Sequence, residues 1–252
     1  MYEKYLFLGA MAFFAGLVDS AVGGGGLIQI PALFNVFPSE VPATLFGTNK
    51  FSSMFGTATA AHRFIGKVSL PLSLILPAAI SAFSLSFVGA ATVGYVPKLV
   101  IKPIILVLLI VIAIYTFWKK DFGKLHKPQI ICHRERWLAA LIGGVIGFYD
   151  GLFGPGTGSF LIFLFIRFFA FDFLHASAAA KCVNLATNLA ALCFFITSGN
   201  ILIQYAVPMA FCNIAGSLIG AHLAIEGGVK LVRLLFLILL CMLISKFAFD
   251  LL

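Results

Sequence analysis

Two lysines stand where lysine is least at home. Lys50 lies in GTNKFSSMFGTATAA and Lys181 in AAAKCVNLATNLAA, each inside a long apolar stretch. An ammonium at the bilayer centre costs about 2.5–3.5 kcal/mol on insertion scales, so it faces a cavity or a partner, or else snorkels to the interface. Thr48, Asn49, Ser52 and Ser53 surround the first lysine, and Asn184, Thr187 and Asn188 follow the second. At helical spacing these neutral groups share the lysine's face. An ammonium beside hydroxyl and amide donors is equipped to hold a small oxyanion.

A second feature lies near each lysine. DSAVGGGGLIQIP places Gly23, Gly24, Gly25 and Gly26 inside an apolar run, and GPGTG places Gly154, Gly156, Thr157 and Gly158 inside another. Unpaired backbone groups in lipid cost several kcal/mol each, so irregular backbone persists only where it is buried in protein or lines a wet cavity. A short helix restarting at about Leu27 and another at about Ser159 would each offer free N–H groups and a positive dipole end to an anion. Close packing of small residues is the structural alternative. A phosphate loop is not indicated, because no strand precedes the glycines and no Gly-Lys-Ser/Thr follows them. Asp19 and Asp150 each stand four residues before the first glycine of a break. Three roles are open to them: counter-ion to a lysine, proton carrier, or cap on the broken helix end.

The elements that must position these residues follow from composition. Hydrophobic residues make up 62% of 252 positions and charged residues 10%, and mean hydropathy is +1.09. Such a chain is an integral membrane protein, and its long uncharged runs suit helices rather than the alternating strands of a barrel. The start MYEKYLFLGAMAFFAGLVDSA has signal-peptide features, but a related segment recurs in mid-chain, where cleavage makes no sense. The net charge of +8 reports loop topology rather than nucleic acid. Five cysteines show no metal-type spacing, and four lie in apolar segments, so they read as mostly free core residues. His62 with Arg63 and His175 with Asp172 fall near helix ends and read as interfacial; His222 lies close to a membrane face, and a titrating role is open to it.

Sliding the chain against itself gives one ungapped register at an offset of 131. Gly16, Asp19, Gly23 and Gly25 fall on Gly147, Asp150, Gly154 and Gly156; Lys50, Phe64, Pro77 and Gly89 fall on Lys181, Phe195, Pro208 and Gly220. The fold class expected is an all-α polytopic membrane protein made of two homologous repeats, 1–118 and 137–252. Each repeat is a glycine-broken, re-entrant segment plus three transmembrane helices. In the first, residues 4–37 are interrupted at 23–26 and helices follow at about 43–64, 69–93 and 98–118. In the second, 137–169 are interrupted at 154–158, with helices at about 174–198, 201–225 and 228–250. The linker 119–136 holds six Lys/Arg and should be cytoplasmic. If the broken segment crosses once, the repeats are parallel; if it doubles back, they are inverted. The uncharged loop TSGNILIQ and the length of the broken segment favour the inverted arrangement.

GLVDSAVGGGGLIQIPAL followed by GTNK, with a degenerate second copy GFYDGLFGPGTGSFL followed by AAAKCVNLATN, resembles the TauE/SafE sulfite exporter family, also called the toluene-sulfonate uptake permease family. The resemblance covers nearly the whole chain. It implies a secondary transporter, an exporter of sulfite, sulfoacetate or another organosulfonate, in a bacterial or archaeal inner membrane. The family's glycine-rich motif falls on Gly23 to Gly26 and its Thr-Asn-Lys on Thr48 to Lys50. The second copy departs from the pattern at Pro155, Thr157, Ala179 and Ala180. The partners of such a carrier are a small anion, the lipid bilayer and a coupling proton or sodium ion; nucleic acid, metal and cofactors are not called for, and a homodimer is left open. The alternatives are an anion channel and an uptake permease for another small organic anion. An enzyme is not expected, since FYDG lacks the partner Gly-x-Gly-Asp of intramembrane aspartyl proteases, and neither a His-Glu-x-x-His nor a Gly-x-Ser-x-Gly motif occurs.

Overall fold

The computed structural model describes residues 2–96 and 131–227, with isolated positions beyond them. Among the described residues every regular element is helical. They are α1 (Tyr2–Val22), α2 (Gly26–Val36), α3 (Pro42–Ile65), α4 (Leu72–Thr92) with a 3-10 turn at Val93–Tyr95, α5 (His133–Leu152), α6 (Thr157–Phe169), α7 (Phe173–Thr197) and α8 (Ile203–Ile225). The expected helices at 98–118 and 228–250 and most of the linker lie outside the described residues.

Local chemistry fixes these boundaries. Pro42 opens α3, where its missing N–H costs nothing. The Asp172 carboxylate accepts from the His175 amide at 2.8 Å and caps α7. The Glu135 carboxylate accepts from the Cys132 amide at 3.0 Å, so α5 begins at His133 rather than at the expected 137. The charged run His-Arg-Glu-Arg that closes the 119–136 stretch is therefore the first turn of a helix.

Among the described residues four helical segments, Tyr2–Val22, Leu72–Tyr95, Phe173–Thr197 and Ile203–Ile225, are long and apolar enough to cross a membrane. The second arms of the broken segments are different. At 11 and 13 residues, α2 and α6 reach about 17–20 Å, which is short of a ~30 Å hydrocarbon core. Large apolar side chains such as Leu72, Ile80, Leu141 and Phe211 stand exposed on the outside, as lipid permits and water does not. The cysteines depart from expectation: Cys132, Cys193 and Cys241 are exposed, while Cys182 and Cys212 are half-buried. They are free, but none is a core residue, because alanine and glycine fill the close helix contacts instead.

Two features of the packing matter for the site. First, the α1–α2 segment doubles back. Tyr5, at the start of α1, stacks on Tyr205 at 4.7 Å between ring centroids, and Phe37, just after α2, lies 4.8 Å from the same ring. Both ends of the segment thus sit at one level, and the glycine break is its tip. Second, helices run side by side in a fixed sense. Along α1, Gly9, Phe13 and Leu17 meet Cys212, Gly216 and Gly220 of α8, so the two run parallel; Gly143, Gly147 and Gly151 of α5 meet Ala78, Ala82 and Ser86 of α4 in the same way. In contrast α3 and α7 are antiparallel, since Gly47 meets Phe195 and Thr57 bonds to Asn188.

Candidate anion pocket between two broken helices

The two glycine breaks touch. Gly23 has φ +75°, and a Cβ there would collide with the backbone of Gly158 and Ser159. Only glycine allows both that conformation and that approach. The contact is locked by Ser159, whose hydroxyl reaches the carbonyls of Val22 and Gly23. On the other side, Gly26 lies against the Gly154 carbonyl and Pro155. The starts of α2 and α6 are thereby brought to one place.

Beside them are two buried ion pairs, each made across the sequence rather than within one half. Lys50 Nζ on α3 donates to Asp150 Oδ2 on α5 at 2.6 Å, with side-chain exposures of 3% and 2%. Lys181 Nζ on α7 donates to Asp19 Oδ2 on α1 at 2.7 Å and also to the Asp19 carbonyl. Adding 131 to Asp19 and Lys50 gives Asp150 and Lys181, so one pair maps onto the other with the two halves exchanged. Isolated buried charges cost several kcal/mol, and pairing with good hydrogen bonds compensates for that. The counter-ion role of both aspartates is realised. Asp19 is a cap as well: its Oδ1 accepts from the amides of Gly24 and Gly25 at 3.2 and 3.3 Å. Asp150 Oδ1 accepts instead from the Thr157 hydroxyl at 2.7 Å.

A small pocket opens between these parts. Its walls are Gly24, Gly25 and Gly26 from the first break and Gly154, Gly156, Thr157 and Gly158 from the second, with Asp19 and Asp150 beside them. From the middles of α3 and α7 come Asn49, Lys50, Ser53, Asn184 and Asn188. Five residues singled out by sequence lie outside it: Gly23, Thr48, Ser52, Lys181 and Thr187. Gly23 is consumed by the contact with Gly158. Thr48 spends its hydroxyl on the Thr44 carbonyl at 2.6 Å and on the Leu202 amide at 3.0 Å. Lys181, with 0% exposure, is turned toward Asp19. One lining residue escaped the sequence reading: Thr57, which accepts from Asn188 Nδ2 at 3.4 Å. The repeat register could have found it, since Thr57 falls on Asn188.

The electrostatics suit an anion. Lys50 gives one proton to Asp150 and one to Asn188 Oδ1 at 3.0 Å; an ammonium has three. Among the described residues no hydrogen bond reaches the amides of Gly26, Gly156 and Gly158, which stand at the starts of α2 and α6 and line the pocket. Free amides at a helix start carry the positive end of its dipole. Asn49, which is 3% exposed, leaves its buried Oδ1 without a hydrogen-bond partner; as an acceptor that oxygen adds nothing to an anion's shell. Ser53 and Thr57, one turn apart on α3, bring hydroxyls that donate to the Asn49 carbonyl at 2.7 Å and to Asp19 Oδ2 at 3.4 Å, so each must turn to serve an anion. Two carboxylates in the same walls oppose an anion, but each is held by its own ammonium.

Comparison with known proteins gives this arrangement a family. The profile described as "Sulfite exporter TauE/SafE" matches residues 8–247. The chain belongs to the TauE/SafE sulfite exporter family. Among its relatives is a "Probable membrane transporter protein ORF9" of Sinorhizobium sp, 34% identical over 232 residues, which are 92% of this chain and 87% of the relative. The "Probable membrane transporter protein YfcA" of Escherichia coli K12 is 32% identical over 95% of this chain and 88% of its own. A "Probable membrane transporter protein" of Haemophilus influenzae is 31% identical over 95% and 92%. No solved structure matches. As a TauE/SafE protein the chain is a multi-pass membrane transporter.

Proposed function

We propose that this chain is a secondary transporter, an exporter in a bacterial or archaeal inner membrane, for a small sulfur-containing oxyanion such as sulfite, sulfoacetate or another organosulfonate. The observation that carries this reading is the pocket in which the Lys50 ammonium and the unpartnered amides of Gly26, Gly156 and Gly158 face one space. An oxyanion placed there would take hydrogen bonds from Lys50 and from both helix starts, with Ser53, Asn184 and Asn188 completing its shell. The family's description names sulfite, and the site chemistry fits that class of anion.

The transport cycle we propose is alternating access by two inverted repeats. Its support is the exchange symmetry of the contacts. Lys50 with Asp150 maps onto Lys181 with Asp19, the α1–α8 packing maps onto α5–α4, and α3, which maps onto α7, runs antiparallel to it. Inverted repeats reach two such states by swapping the conformations of their halves around a fixed central site. The pocket draws on the middles of α3 and α7, as a midplane site should. The same scheme puts the basic linker 119–136 in the cytoplasm.

Transport of labelled sulfoacetate and sulfite into or out of liposomes tests the reading. The wild-type protein should move at least one of them at carrier rates, and Lys50→Ala should abolish transport. Undiminished transport in Lys50→Ala would overturn the assigned site. Conductance far above carrier turnover in a planar bilayer would make the protein a channel instead.

A further inference from the structure

We propose that Asp150 couples anion binding to a proton: when an anion takes the Lys50 ammonium, Asp150 takes up a proton from water, and it returns that proton when the anion leaves. This rests on the anion-site reading above and adds which group in the site titrates.

The two ion pairs are related by sequence but not equal in what surrounds them. Asp19 has partners besides its lysine: two backbone amides on Oδ1 and the Thr57 hydroxyl at 3.4 Å on Oδ2. Those donors would hold its charge if Lys181 moved. Lys181 does not line the pocket, so an arriving anion does not compete for it. Asp150 has much less. Besides Lys50, its one hydrogen-bond partner among the described residues is the Thr157 hydroxyl, and that hydroxyl also lies 2.9 Å from the Gly154 carbonyl, to which it can donate instead. The amide of Gly154 goes to the Tyr149 carbonyl, not to Asp150. The second break therefore leaves its aspartate uncapped where the first caps it.

Lys50 does line the pocket, and a Cβ at Gly154 would sit 3.3 Å from its Nζ, so nothing bulky stands between that ammonium and the space. An anion bound there shares the one cation on which Asp150 depends. A carboxylate at 2% exposure that loses its counter-ion either leaves the site or becomes neutral. The reaction is simple: carboxylate plus hydronium gives carboxylic acid plus water, no electrons move, and the proton offsets one unit of the anion's charge. Once protonated, the carboxyl can donate to the anion or to a neighbouring carbonyl.

The other titratable groups around Asp150 fit this assignment. Lys50 on α3 is its partner, Asp19 on α1 stands across the pocket, and Lys181 on α7 is engaged by Asp19. Tyr149 precedes it on α5, with its hydroxyl bonded to the Pro155 carbonyl at 2.6 Å. Neither α4 nor α2 carries a titratable side chain, and α6 has only Arg167 in its last turn.

The test is proton uptake on mixing purified protein with sulfoacetate in weakly buffered solution at about pH 7, read with an indicator dye, beside binding read from thermal stabilisation. Sulfoacetate keeps both acidic groups ionised there. The wild-type protein should take up about one proton per anion bound. Asp150→Asn should bind sulfoacetate more tightly, because Lys50 has lost its competitor, and take up none; Asp150→Glu, which keeps a carboxyl, should restore uptake. Sulfoacetate binding by the wild type without proton uptake overturns the coupling but leaves the anion site intact. Proton uptake that persists in Asp150→Asn also overturns it. Absence of thermal stabilisation of the wild type by either sulfoacetate or sulfite overturns the anion reading itself, and this inference with it.

Discussion

Lys50 and Asp150, 100 residues apart in sequence, meet at 2.6 Å in the centre of the helix bundle. Its counterpart, Lys181 with Asp19, is formed the same way with the halves exchanged. A buried pair of this kind adds little over an apolar replacement, yet breaking one partner is expensive, since the other is left charged and unpaired. The pairs therefore hold the halves together only while both members remain.

That asymmetry makes a double-mutant cycle informative. Lys181→Met should cost about 3–5 kcal/mol of stability by leaving the Asp19 charge without its cation, read as a lowered unfolding midpoint in detergent. Asp19→Asn combined with Lys181→Met should recover part of that loss. Strictly additive costs would mean that the two side chains are not coupled.

The glycines of the first break should separate into two kinds. Gly23→Ala puts a methyl group into the backbone of Gly158 and Ser159 at a positive φ, and should destabilise the protein by more than about 2 kcal/mol. At Gly26 the nearest atoms to an added Cβ are 3.5 Å away, an ordinary contact. Gly26→Ala should fold normally, narrow the pocket and raise the KM for the anion. Thermal unfolding and transport kinetics on both variants check the pair, and equal behaviour would contradict the contact described.

Most of the helical framework is legible in the sequence. The helices expected at 43–64, 174–198 and 201–225 are found at Pro42–Ile65, Phe173–Thr197 and Ile203–Ile225; the last two are apolar enough to cross a membrane, whereas Pro42–Ile65, with its lysine, asparagine and hydroxyl residues, is not among the helices that meet that measure. Helix α5 starts earlier than its apolar pattern suggests, since the Glu135 carboxylate caps it and hydropathy does not register such a bond. The lysines and aspartates of the site are legible as rare charges in an apolar chain. Which aspartate meets which lysine is not, because helical periodicity is a local signal and these pairs are made between halves. Thr57 is not legible for a related reason: threonine is unremarkable in a membrane helix until its neighbour across the bundle, Asn188, is known.

Topology is open to direct labelling. With the native cysteines replaced, a single cysteine in the loop between α7 and α8, at Gly199, should react with a membrane-impermeant maleimide from outside intact cells. One at Lys124 in the basic linker should react only after the membrane is opened. Labelling of both from the same face would contradict inverted repeats with a cytoplasmic linker.

The central claim is that a small oxyanion binds between the two breaks and is held there by Lys50. The most direct measurement is the shift in unfolding temperature of the purified protein with sulfite, sulfoacetate, sulfate, taurine and acetate, made on the wild type and on Lys50→Met. Only ligands that bind the folded state raise that temperature, by RT ln(1 + [L]/Kd) in free energy. The account predicts a rise with sulfite or sulfoacetate in the wild type and none in Lys50→Met. An equal rise in both proteins would contradict it.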